Sequence, residues 1–132
     1  MIVSVARTPI GRAYRGALNN LEGPTLGGHA IRAAVAAAGI DGAEVDDVIM
    51  GCAMPQGTTG YNIGRLAALA AGLRVEVSGM TMDRQCSSGL MAVATAAKLH
   101  RCQRAGSPSQ PAEIGVAADE PPAPVSEDLG SD

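Results

Sequence analysis

Residues 80–98 read MTMDRQCSSGLMAVATAAK. The end of an apolar run, Met80–Met82, is followed by a short polar segment, then by Cys86, Ser87, Ser88 and Gly89, and then by small apolar residues. From Gly89 to Ala97 the only polar side chain is Thr95. The stretch is expected to be a strand, a turn and a helix that starts at Cys86 and ends near His100. A surface helix shows a polar face, so a helix this apolar is expected to be covered on most sides.

The same alternation extends outward. VEVSGMTM (75–82) is expected to be a third strand, leading into the helix just described. DDVIMGCAM (46–54) reads as a second buried strand, followed by the loop PQGTTGYN (55–62). NIGRLAALAAG (62–72) has helical spacing and a glycine stop, as does TLGGHAIRAAVAAAG (25–39). MIVSVA (1–6) reads as a first strand, and RTPIGR as the turn leaving it. Strand and helix in strict alternation imply an α/β fold with a parallel sheet, here a βαβαβα unit.

From Ala105 the texture changes. Residues 1–104 hold ten basic and seven acidic side chains, whereas 105–132 hold six acidic and no basic ones. Five of the eight prolines also fall there. The expected division is a domain over 1–104 and a disordered, acidic tail over 105–132. AEIGVAA (112–118) is a candidate fourth strand within that tail, and Pro121, Pro122 and Pro124 bar regular structure after it.

Composition excludes several classes. The chain has a net charge of −3 and no basic cluster, unlike a nucleic-acid binder. No stretch approaches the roughly 18 apolar residues of a membrane span. Three cysteines without a secretory leader argue against a disulfide framework, so a reducing, cytoplasmic setting is expected. Cys52, Cys86, Cys102, His29 and His100 lack the close pairs of a zinc site, so no metal is expected. With two tyrosines and no Phe or Trp, the core must be built from Ala, Val, Leu, Ile and Met.

Cys86 carries the chemistry. At a helix N-terminus the free N–H groups and the dipole favour negative charge, and a thiolate is the nucleophilic form of cysteine. Ser87, Ser88 and Gly89 leave the backbone amides open to an acyl oxygen. The alternative reading of the same residues is a small buried cysteine that happens to begin a helix.

VARTPIGR (5–12), GCAMPQGTTGYNIGRLAALAAGL (51–73) and MTMDRQCSSGLMAVATAAK (80–98) occur in this order, and together they resemble the amino-terminal part of a thiolase. The type is acetyl-CoA acetyltransferase or 3-ketoacyl-CoA thiolase. Arg7-Thr8-Pro9, Gly51, Gln56-Gly57, Asn62, Arg65 and Arg84 through Leu90 follow the family pattern. Asp83 stands where asparagine is usual. The resemblance implies an acyltransferase acting on acyl-CoA thioesters through a Cys86 thioester, with the Cys86 backbone N–H in an oxyanion hole. It implies coenzyme A as co-substrate, with no residue assigned to it. It also implies a dimer interface near Ser78–Met82 and Gln56–Arg65.

The family's Gly-His-Pro histidine, its second cysteine in Cys-x-Gly and its Asn-Glu motif have no counterpart here. His29 and His100 read as surface or helix-end residues, Cys52 as core, and Cys102 matches neither motif. The expected product is a fragment inactive by itself, arising from a shortened gene or a gene-model error. The alternatives are a non-catalytic module that associates with a full-length thiolase or a lipid, and a ketoacyl-synthase relative.

Overall fold

The computed structural model describes residues 2–106 and 112–117. Helices and strands alternate along it: α1 (Gly23–Ala38), β1 (Val45–Gly51), α2 (Ile63–Ala70), β2 (Ser78–Met82), α3 (Ser88–Gly106) and β3 (Ala112–Ala117). Local chemistry sets their ends. Pro24 sits in the first turn of α1, where its missing N–H is not needed. Gly39, at φ 67, ends that helix and donates its N–H to the Ala36 carbonyl. Asn62 caps α2 by accepting the Arg65 N–H at 3.2 Å.

The sheet is parallel throughout, in the order β2-β1-β3. Val48 of β1 lies opposite Gly79 of β2 and Ile114 of β3. α2 and α3 supply the crossovers that parallel pairing demands. Successive β1 side chains alternate between faces. Val48 and Met50 pack with Ile31, Ile63, Ala67 and Ala68 beneath α1 and α2. Ile49 points the other way and packs with Ala92 and Ala96 of α3 and with Met80 and Met82. β1 is therefore buried on both faces, which explains its nearly continuous apolar run.

Three expectations change, and a fourth is met. First, residues 2–6 of MIVSVA form no strand, so the order of elements among the described residues is αβαβαβ rather than βαβαβα. Both edges of β1 are taken by β2 and β3, and the amino-terminal segment pairs with neither of these. Ile2, Val3, Val5 and Ile10 are 65–88% exposed. Among its side chains, Ser4 ties the segment to α1 by donating to the Ala34 carbonyl at 2.8 Å. Second, α3 begins at Ser88 and not Cys86, and it runs on to Gly106. Third, over residues 88–102 α3 is fully buried along one face only. Ser88, Ala92 and Ala96, spaced four apart, are buried, whereas Leu90 is 75% exposed. Fourth, the candidate strand over 112–118 is present as β3, so the tail begins with structure. The disorder expected over the rest of 105–132 lies outside the described residues.

Candidate active site

The turn between β2 and α3 carries Cys86, and side chains hold it on both sides. Asp83 Oδ1 accepts the Gln85 N–H at 2.8 Å. The Ser88 hydroxyl accepts the Arg84 N–H at 2.9 Å and donates to the Gln85 carbonyl at 2.6 Å. The Ser87 N–H donates to the Arg84 carbonyl at 3.1 Å, and the Ser88 N–H to the Gln85 carbonyl at 3.0 Å. Gln85 sits at φ 52, left-handed for a residue with a side chain. The first helical bond runs from the Met91 N–H to the Ser87 carbonyl.

Cys86 is exposed and its thiol is free. Its backbone N–H finds no acceptor among the described residues. Helix starts leave amides open in this way, and here an open amide and a thiol belong to one residue. Asp83, which departs from the family's asparagine, uses a side-chain oxygen as acceptor, a role open to either residue.

Two further contacts fix the turn to the sheet. The Cys52 N–H donates to the Met82 carbonyl at 3.0 Å, which ties the end of β1 to the residue before Asp83. Gly51 lets the start of α3 come down onto β1, since a Cβ there would land on Ser88 and Gly89 backbone atoms.

A second network clamps the loop before α2 onto β2. Asn62 Nδ2 donates to the Gly79 carbonyl at 2.6 Å, and Asn62 Oδ1 accepts the Thr81 hydroxyl at 2.9 Å. The Gly64 N–H donates to that hydroxyl at 3.0 Å. The Arg65 guanidinium donates to the carbonyls of Val75, at 2.6 Å, and Val77. Buried Thr59 folds the loop by donating to the carbonyls of Met54 and Gln56. The segments Gln56–Arg65 and Ser78–Met82 are thus bonded to each other within one chain.

The histidines stand apart from Cys86. His29 is exposed on α1, on the opposite face of the sheet from α3. His100 lies twelve residues along α3 from Ser88, about 18 Å at helical rise. Cys52 is buried in the core and Cys102 is exposed. No cluster of three potential metal ligands occurs among the described residues, and none of their helices is long and apolar enough to cross a membrane. Ser88 and Thr81 escaped the sequence reading. Ser88 was valued there for its small size, whereas the structure uses its hydroxyl. Thr81 carried no signal beyond a polar residue inside an apolar strand.

The family profile described as Thiolase, N-terminal domain, matches residues 1–107. The chain is 40% identical over 98 residues to a 3-ketoacyl-CoA thiolase of Bacillus subtilis, covering 74% of this chain and 25% of that protein. It is 45% identical over 98 residues to a beta-ketoadipyl-CoA thiolase of Acinetobacter baylyi, covering 74% and 24%. It is 39% identical over 102 residues to an acetyl-CoA acetyltransferase of Pseudomonas aeruginosa, covering 77% and 25%. The chain spans about a quarter of the length of these curated relatives.

Proposed function

The chain belongs to the thiolase family, and we propose that Cys86 is the residue on which it accepts an acyl group from an acyl-CoA thioester. The observation that carries this reading is the pairing, at one exposed residue, of a free thiol with an unbonded backbone N–H. The thiolate attacks the thioester carbonyl, and negative charge gathers on the carbonyl oxygen. A fixed N–H donor aimed at that oxygen stabilises the charge where it develops. Collapse leaves the acyl group on Cys86 and releases coenzyme A, which is the acyl-transfer half of thiolase-type chemistry in fatty acid metabolism.

No histidine stands near Cys86 among the described residues, so acylation is expected without sustained turnover. The test is to incubate the chain with acetyl-CoA and locate acetyl groups by peptide mass spectrometry. Acetylation at Cys86 and not at Cys102 supports the reading, and equal labelling of both thiols counts against it. Sustained thiolysis of acetoacetyl-CoA would show that a base reaches the thiol after all.

The same reading proposes a dimer interface at Ser78–Met82 and Gln56–Arg65. The outer edge of β2 carries no partner strand among the described residues, and the Asn62 network makes one surface of the two segments. A second reading, a non-catalytic module docking on a full-length thiolase or a lipid, draws on the exposed apolar side chains Val5, Ile10 and Leu90. Co-sedimentation with thiolase chains or vesicles, with Cys86 dispensable, would favour it. The cytoplasmic setting remains part of the proposal.

A further inference from the structure

The turn that presents Cys86 depends on one buried hydroxyl. Ser88 is 3% exposed, and its Oγ is fully committed, accepting from the Arg84 N–H and donating to the Gln85 carbonyl. With Asp83 taking the Gln85 N–H, both backbone polar groups of Gln85 are bound by side chains. Gln85 is also the residue at φ 52, a conformation that a side chain with a Cβ keeps only when its surroundings hold it there. The backbone direction at Gln85 decides where the next residue faces, and the next residue is Cys86.

We infer that Ser88 is a positioning residue for acyl transfer: its hydroxyl holds Gln85 in the left-handed conformation and so aims the Cys86 thiol and N–H together at an incoming thioester carbonyl. The inference rests on the reading of Cys86 as the acyl acceptor. In the step concerned, the Cys86 sulfur bonds to the carbonyl carbon and the carbonyl oxygen takes up the electron pair. When the pair returns, the bond from that carbon to the leaving sulfur breaks. The proton lost by Cys86 ends on the departing thiol, and nothing is oxidised or reduced. Attack needs the sulfur, and charge stabilisation needs the amide. Simple alkylation of the thiol needs the sulfur alone.

That difference supplies the test. Two rates are measured at Cys86 in the whole chain, alkylation by iodoacetamide and acetylation by acetyl-CoA, with the exposed Cys102 as internal reference. Ser88→Ala is expected to keep alkylation within about twofold and to lower acetylation by about tenfold or more, since small misplacements of reacting groups have effects of this size. Adding Gln85→Gly to Ser88→Ala is expected to recover most of the acetylation, because glycine takes the left-handed conformation without a Cβ penalty. A purely structural Ser88 would move both rates together, and a glycine at position 85 would not restore them.

Should Ser88→Ala fail to fold, Gln85→Val tests the same linkage from the other end. A β-branched side chain opposes positive φ, so acetylation should fall selectively with Ser88 intact. Native-like acetylation in Ser88→Ala or in Gln85→Val overturns the positioning role alone, as does a loss in Ser88→Ala that Gln85→Gly does not recover. Absence of acetylation at Cys86 in the unaltered chain overturns the acyl-acceptor reading, and the positioning role with it.

Discussion

Gly51→Ala tests how closely the sheet and α3 are fitted beneath Cys86. Gly51 ends β1 and pairs with Met82. An added Cβ would fall far inside van der Waals contact with the Ser88 carbonyl group and the Gly89 nitrogen. These are backbone atoms, so they cannot swing aside as a side chain would, and Ser88 is further pinned by its hydroxyl. Either the first turn of α3 lifts from β1 or the Cys86 turn breaks. Overpacking typically costs about 1–3 kcal/mol, and a backbone obstacle puts this case near 3. The lower entropy of unfolded alanine offsets about 0.4–1 kcal/mol, leaving a net loss of about 2 kcal/mol. Gly39→Ala is the control. A Cβ there meets nothing within 4 Å, and only the left-handed φ of 67 opposes it. That penalty is about 1–2 kcal/mol, and the same entropy offset leaves about 1 kcal/mol or less. Urea unfolding followed by circular dichroism compares the two variants. Gly51→Ala should lose about twice as much as Gly39→Ala or more, and it alone should change the alkylation rate of Cys86. A Gly51→Ala midpoint at or above that of Gly39→Ala would refute the close fit.

Ile49→Ala removes the one buried β1 side chain packed against α3, and a fully buried isoleucine truncated to alanine costs about 2–5 kcal/mol. Because Ala92 and Ala96 supply little other burial, hydrogen exchange should show α3 released before α1 and α2. Asn62→Ala loses the α2 cap, worth about 0.5–2 kcal/mol, together with the bonds to Gly79 and Thr81. Asn62→Asp keeps the acceptor but not the donor, and its thermal midpoint should fall between those of the alanine variant and the native chain. The Glu76 carboxyl is held below its ordinary value of 4.5, first by its own backbone N–H and then by Arg74. A depressed native value stabilises the fold above the unfolded pKa, and this contribution is lost as the pH falls through the native one. Glu76→Gln should therefore be slightly less stable than the native chain at neutral pH and equal to it in acid.

Much of the fold was legible because glycine and apolar runs mark it plainly. Gly39 stops α1, and Gly72, at φ 83, lies just beyond α2. The run from Val48 to Met50 fits a strand buried on both faces, as in the centre of a parallel sheet. MIVSVA has the same composition as a strand, but composition does not enforce pairing. The outer edge of β2 has no partner among the described residues, yet residues 2–6 stay off the sheet with Ile2, Val3 and Val5 exposed. The cover expected over α3 failed for a related reason. An apolar helix shows that burial would be favourable, but it does not supply the surface that buries it, and Leu90 stays exposed.

α3 starts two residues beyond Cys86, where a serine at the N-cap position puts it, but capping preferences name the wrong hydroxyl as the one that holds the turn. Ser87 stands at the N-cap position, since its carbonyl accepts the first helical bond. Capping preferences would give its hydroxyl about 1 kcal/mol of stability. The structure gives that hydroxyl no partner among the described residues and leaves Ser87 exposed. The next serine makes the side-chain bonds, and they reach backward to Arg84 and Gln85 and not forward into the helix. Nothing in two adjacent serines distinguishes them. Their distance from Gly51 does, because the contact with β1 buries Ser88 and turns Ser87 outward. Ser87→Ala should therefore stay within about 0.5 kcal/mol of the native chain, as surface substitutions do. Ser88→Ala should lose about 1–3 kcal/mol, because it breaks two part-buried hydrogen bonds, to the Arg84 N–H and the Gln85 carbonyl. Paired urea midpoints decide the matter: a larger loss for Ser87→Ala would mean that the helix is capped in the ordinary way and that the Ser88 knot does not set its start.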